Sequence, residues 1–248
     1  MGHNQMIEVK DQDGDAYVGK WVHPESDAPL EMVGRKGSHD IDEISRYIAD
    51  LLQVGNRDAV LDLCCGNGLI TVQIAKRSGT VAGVDFSEVL LEQARTKFAA
   101  SNITYMRGDA RLLRQAVGDQ KFDKAYISAA FQYFDSSTGR DVLKGLRAVL
   151  KPEAKLAILD IPDAELKRAH QVRALMRVIL PEKATGNNTA SENRRFTGVW
   201  SRASYLARNV GSRLGLRRTD DMGQWWSRRQ FEALAGECGF DAVALNQP

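Results

Sequence analysis

Three acids and two glycines carry the first chemical signal in this sequence. Residues 60–71 read VLDLCCGNGLIT: an apolar run holding Asp62, two adjacent cysteines, Gly66 and Gly68, and then an apolar continuation. Glycine at a strand end lets the backbone adopt left-handed φ values and come close to a ligand. The unpaired N–H groups of a helix that begins there suit a carboxylate or a phosphate. Asp85 stands 17 residues past Gly68, at the end of TVAGVD, where an acid can accept hydrogen bonds from two ribose hydroxyls. Asp109, in YMRGDA, follows one more apolar stretch. With the three stretches as parallel strands, Asp62, Asp85 and Asp109 converge on one crevice at the carboxyl edge of the sheet, where open α/β sheets bind ligands.

The rest of the chain supplies elements to hold these side chains. Short apolar runs predict strands at 59–63, 80–84, 103–106, 122–127 and 155–159. Between them lie helical segments at 68–77, at 88–99 after a Ser87 cap, and at 138–150 with Leu143, Leu146 and Leu150 on one face. An earlier helix spans 41–53: Asp40 and Glu43 resemble a capping box, and Ile41, Ile44, Ile48 and Leu51 recur at helical spacing. This alternation predicts βαβ units and an α/β, doubly wound parallel sheet with helices on both faces.

The alternation stops at Asp163 and resumes near residue 228. Ala164–Leu180 reads as helical and ends at Pro181, a polar loop ATGNNTASEN follows, and 201–214 reads as a second helical stretch. An insertion of this length after the fifth strand is expected to be functional, as a lid over a site. The helix RRQFEALAGECGF and a last short strand, DAVAL, complete the pattern. The expected organisation is an arm over 1–40 covering the cofactor site, a core of 41–162 and 226–248, and a mainly helical substrate-binding insertion over 163–225.

Composition removes several classes. The 248 residues carry a formal charge of +2, 27% charged and 43% hydrophobic side chains, as in ordinary globular proteins. So small a charge disfavours a general nucleic-acid or membrane partner. No apolar run reaches the ~18 residues that span a bilayer, and MGHNQMIEVKDQDGD lacks the apolar core of a signal peptide, so a cytoplasmic protein is expected. Cys64, Cys65 and Cys238 form no CxxC pair, and no acid/histidine cluster has ligand spacing, so no metal is expected.

Two cofactor classes compete for the glycine turn. A dinucleotide fingerprint wants G-x-G-x-x-G, but Thr71 stands where the third glycine belongs, and that reading explains neither Asp62 nor Asp109. At these residues the chain resembles the class I (Rossmann-like) S-adenosylmethionine-dependent methyltransferases. In their [DE]-x-G-x-G-x-G motif, Asp62 matches the acid, Gly66 and Gly68 the last two glycines, and Cys64 takes the place of the first. A small side chain fits there if the turn opens slightly, so Cys64 and Cys65 are expected to pack around the turn rather than react.

The resemblance extends over roughly 41–162 and 228–245. It implies Asp85 as the ribose acid, Phe86 beside the adenine, Asp109-Ala110 as the segment reading the adenine amino group, and Ser128 lining the methionine part. LKPEAKLAILDIP resembles the family's proline-bearing turn and fifth strand, and FEALAGECGFDAV its late helix and sixth strand; the family's seventh strand is then absent, truncated or supplied by another chain. The implied reaction is in-line methyl transfer, with S-adenosyl-L-homocysteine as product, in which the protein aligns nucleophile and methyl carbon.

The candidate base is His39, with His23 and Tyr133 as alternatives and a solvated helix-start histidine as the plain reading. Tyr17 and Trp21 either cover the cofactor or only anchor the arm. The insertion is rich in arginine, which gives either a solvated surface or a site for an anionic acceptor, a carboxylate or phosphate. Arg194 and Arg195, beside Phe196 and Trp200, are the candidates for that site, with Tyr133 also on the substrate side. A small-molecule methyltransferase leads this reading. An RNA methyltransferase gripping phosphates through the insertion, and a non-catalytic cofactor- or partner-binding protein on the same fold, stand beside it. The sequence leaves open monomer or homodimer.

Overall fold

A computed structural model describes residues 41–166 and 224–245. Five strands, β1 (Ala59–Leu63), β2 (Thr80–Asp85), β3 (Ile103–Arg107), β4 (Phe122–Ser128) and β5 (Leu150–Leu159), form one sheet in the order β3-β2-β1-β4-β5, every pair parallel. Chain order reverses between β1 and β4, which leaves a crevice above their carboxyl ends. Among the described residues the α-helices are α1 (Ile41–Leu52), α2 (Thr71–Ala75), α3 (Glu88–Lys97), α4 (Leu113–Val117), α5 (Ser136–Val149) and α6 (Arg228–Glu237). The architecture is the α/β, Rossmann-like one that strand–helix alternation implies.

Side-chain alternation divides the strands between two layers. On one face, Val60, Val81, Tyr126, Ala157 and Leu159 form a buried cluster with Ile48, Ala49 and Leu52 of α1 and Ile74 and Ala75 of α2. Their strand neighbours Leu61, Leu63, Ala125 and Ile127 are equally buried and point the other way. On the α4–α5 side small residues allow close approach: a Cβ on Gly145 would lie 3.5 Å from Leu113, and one on Gly108 only 2.5 Å from Ala116. Phe131 is wholly buried, and a Cβ on Gly139 would come within 3.1 Å of its ring.

Three elements differ from the sequence reading. The helix expected over 68–77 is only Thr71–Ala75; Gly68, its expected first residue, has a φ of 84°, which no α-helix accepts. The proline-bearing turn at LKPEAK lies inside β5: Phe122 pairs with Leu150 and Lys124 with Lys155, so two steps along β4 face five along β5. Within the five-strand sheet β5 is an edge, where Pro152 and such an irregularity are tolerated. The strand expected at DAVAL does not form. Its Ala244 N–H is taken by Glu232 Oε1 at 3.0 Å, and Val243 and Leu245 stay exposed.

The chain divides into two units, 1–161 with 232–248, and 162–231. In the second, Trp226 N–H donates to Pro162 O at 3.0 Å and Ala164 N–H to Trp226 O at 3.0 Å, forming a parallel bridge between Asp163 and Trp226. Arg228 Nε donates to Asp163 Oδ2 at 3.3 Å, and Phe231 meets the buried Trp226 ring edge-on. Most of the expected insertion, including both of its helical stretches, lies outside the described residues. Among the described residues, no helix is long and apolar enough to cross a membrane, and no group of three acids, histidines or cysteines forms a metal site.

Candidate active site

The turn after β1 is tied to the end of β2. Cys64 and Cys65 both donate their N–H groups to Val84 O, at 2.8 and 3.1 Å, and Gly68 N–H closes back onto Cys65 O at 3.1 Å. Cys64 keeps the left-handed backbone a glycine would take there, so the turn does not open to accommodate it. Burial pushes both thiols well above their ordinary range, with Asp62 and Asp85 adding to the shift, which disfavours the reactive thiolates. Gly68 is required by packing: a Cβ would collide with the Tyr105 hydroxyl, and its φ is 84°.

Asp85 closes β2, beside the central strand β1. Its Oδ2 accepts Gly66 N–H and its Oδ1 accepts Ser87 N–H, both at 2.9 Å. Burial raises its pKa, while these N–H donors pull the other way. A carboxylate has about four acceptor positions, and the Phe86 N–H also bonds to this one, so room is left for a further donor such as a hydroxyl. Phe86 is half-buried beside it, and Arg107 Nε donates to Phe86 O at 3.3 Å.

Asp109 follows two residues after Arg107, the register partner of Asp85, and Gly108 N–H donates to Asp85 O at 2.9 Å. It caps a short 3-10 turn, Ala110–Leu112, by accepting Arg111 N–H at 2.8 Å. The Arg111 guanidinium clasps both carboxylate oxygens, with Nε at 3.0 Å from each. Burial pushes this carboxyl up, but the Arg111 hydrogen bonds and charge outweigh it and hold the pKa below the usual range.

Asp62 does not join these two acids at the crevice. It faces the interior on the same side as Val60 and is 2% exposed. Thr71 Oγ1 donates to its Oδ2 at 2.5 Å and Tyr126 OH donates to the same oxygen at 2.6 Å. Burial pushes its pKa up to about 7 against the pull of both hydroxyls, and the Asp85 charge adds to the rise. The sequence alone shows an acid in a strand; only the β1–β4 register, which sets Asp62 opposite Tyr126, shows that its partners are internal.

The β4–β5 side carries strain. Ala129 and Asp160, the residues after each strand, have φ of 56° and 63° without being glycine. Ser128 Oγ donates to Asp160 Oδ2 at 3.2 Å. Phe131–Tyr133 then forms a 3-10 turn anchored by Phe131, whose ring meets Phe134 edge-on at 5.7 Å. Tyr133 is half-buried in that turn. Gln132, 6% exposed, donates Nε2 to Ala129 O at 3.1 Å, and its Oε1 has no partner among the described residues. Sequence reasoning missed Thr71, Tyr126, Arg111, Asp160 and Gln132. Arg111 alone left a local trace, two residues after an acid. Tyr17, His23, His39, Arg194, Arg195 and Trp200 lie outside the described residues.

Residues 60–153 match a family model described as a methyltransferase domain. A 2-phytyl-1,4-naphtoquinone methyltransferase of Nostoc sp. is 35% identical over 133 residues, 50% of this chain and 56% of that protein. A demethylmenaquinone methyltransferase of Lactobacillus johnsonii is 37% identical over 116 residues, 44% of this chain and 46% of that protein. The chain thus spans about half the length of these curated relatives. A crystal structure of a putative O-methyltransferase from Nostoc punctiforme superposes with a TM-score of 0.51 at 18% identity, over 82% of this chain and 51% of that one, a likeness of fold. Residues 60–153 are thus similar to a methyltransferase domain, on a Rossmann-like fold.

Proposed function

We propose that this chain is an S-adenosylmethionine-dependent methyltransferase acting on a small-molecule acceptor. The observation that carries the proposal is Asp85: a buried acid at the end of β2, oriented by the N–H groups of Gly66, Ser87 and Phe86 beside the glycine turn. In this reading Asp85 binds the ribose, Phe86 flanks the adenine, Ala110 belongs to the segment that reads the adenine amino group, and the turn from Cys64 to Gly68 and Ser128 border the amino-acid portion. Asp109 contributes through its backbone and its capped turn, since Arg111 holds its carboxylate. Asp62 supports the turn from below. When bound, S-adenosylmethionine supplies an electrophilic methyl group on a sulfonium. The residues of the chain bind, orient and exclude water, which is most of what an in-line displacement asks of a protein.

His39 is the proposed base, and Tyr17 the proposed cover of the cofactor. On the acceptor side we place Tyr133, Arg194, Arg195 and Trp200, with an anionic acceptor suited to the two arginines. The quinone-directed names of the two relatives above add reduced naphthoquinones to the acceptors worth screening.

Calorimetric titration with S-adenosylmethionine and, separately, NADPH tests the cofactor reading. S-adenosylmethionine is expected to bind and NADPH not to, and Asp85→Ala is expected to weaken binding by about 100-fold, the loss of two charge-assisted hydrogen bonds. Binding of NADPH in preference, or an Asp85→Ala variant that folds and binds as the natural chain does, defeats the proposal. Transfer of a radiolabelled methyl group to naphthoquinols and anionic metabolites then tests activity.

A further inference from the structure

The β4–α5 turn holds a polar group whose requirement the fold itself does not meet. Phe131 is wholly buried and wedged near Gly139, which pins the turn and leaves Gln132 over the end of β4. Gln132 Nε2 donates to Ala129 O at 3.1 Å, which fixes the amide: turned over, it would set two oxygens against each other. The other end, Oε1, is left as a buried acceptor without a partner among the described residues. Buried polar atoms are satisfied in nearly all native proteins, so one that is not, at the edge where the sheet binds ligands, points to a donor that arrives with a ligand.

The strand register indicates which donor. Leu63 pairs with Val84 and Asp62 with Tyr126, so Asp85, Cys64 and Ser128 stand level on three neighbouring strands, β2, β1 and β4. Neighbouring strands are about 4.8 Å apart, which sets the end of β4 roughly 10 Å from Asp85 across the glycine turn. An adenosyl amino acid with its ribose hydroxyls on Asp85, lying across the turn, reaches the end of β4 with its amino-acid portion. That portion carries one strong donor, its ammonium, while its carboxylate only accepts.

We infer that Gln132 Oε1 accepts a hydrogen bond from the ammonium of the cofactor's amino-acid portion, making Gln132 a cofactor-selecting residue, an inference that rests on the cofactor reading above. The full chain is titrated with two probes, S-adenosylhomocysteine and 5′-methylthioadenosine, which lacks the amino-acid portion. Gln132→Leu is expected to weaken S-adenosylhomocysteine by about 10-fold while leaving 5′-methylthioadenosine within about twofold. Gln132→Met, which keeps the length of the side chain and loses its oxygen, is expected to lower the same preference. The ratio of the two affinities cancels a general loss of folded protein, and if the leucine variant binds neither probe, the ratio in the methionine variant decides. An unchanged ratio in Gln132→Leu or in Gln132→Met overturns the assignment and gives the oxygen to water or to the acceptor. A natural chain that binds neither probe defeats the cofactor reading itself.

Discussion

The two halves of the sheet edge are built on opposite terms. On the β1–β2 side every acid is already held: Asp62 by Thr71 and Tyr126, Asp85 by backbone N–H groups, and the turn between them by paired bonds to Val84 O. Glycines absorb two of its three left-handed positions. On the β4–β5 side two non-glycine residues, Ala129 and Asp160, bear left-handed backbones, and the buried Gln132 oxygen waits for a donor. The first half is held mainly by its own hydrogen bonds; the second keeps strained backbone positions and the Gln132 oxygen. On the proposed reading the rigid half takes the nucleoside portion, which suits it because a preorganised site spends little free energy on ordering.

If the β1–β2 half is rigid by packing, Gly68→Ala gives the largest effect. The new Cβ meets the Tyr105 hydroxyl and its ring carbon at a position of positive φ, and a loss of about 2–4 kcal/mol in chemical denaturation is expected. Tyr105→Phe in the same chain removes the nearest contact and should return part of that loss. A Gly68→Ala variant as stable as the natural chain would show that this turn yields more easily than its contacts imply.

A smaller effect separates the internal acid from the crevice acids. The Asp62 pKa is raised from 3.8 to about 7 in the fold, so between these values the folded state holds more protons than the unfolded one. Its contribution to stability therefore falls as pH rises from about 4 through 7 and is constant above. An asparagine in its place would keep an oxygen for Thr71 and Tyr126 without a buried charge. Asp62→Asn is thus expected to flatten that part of the pH–stability curve and to melt about 3 °C or more above the natural chain at pH 8, by scanning calorimetry. A variant that melts lower at pH 8 would mean that the buried charge is itself stabilising.

The smallest effect concerns Cys64. Glycine would relieve its left-handed backbone by about 1 kcal/mol and cost a similar amount in unfolded-chain entropy. Cys64→Gly should therefore change stability by less than about 1 kcal/mol and leave cofactor affinity near its original value. A large loss of either would assign the thiol a role beyond filling space.

Much of the scaffold was legible because it rests on local pattern. Apolar runs of five or six residues broken by Gly66-Asn67-Gly68, Ser87 and Asp135 mark strand ends and helix starts wherever they occur, and β1 fell on its expected residues, Ala59–Leu63. Asp85 and Asp109 were legible for the same reason, as each closes an apolar run. The misjudged pieces depend on distant partners. DAVAL has the composition of a strand, yet one of its N–H groups bonds to a glutamate of the preceding helix. Pro152 reads as a turn, yet it lies in an edge strand that absorbs three extra residues.

The sequence by itself determined the order of strands and helices, the glycine turn and the acids at the strand ends, because these follow from periodicity and backbone preference within a few residues. Only the tertiary structure decided what each acid does. Asp62 and Tyr126 are 64 residues apart, as are Ala59 and Asp123, and such pairs exist only once β4 lies beside β1. That pairing turns one strand-end acid inward, and it leaves the Gln132 oxygen, invisible in composition, without a partner among the described residues at the edge of the site.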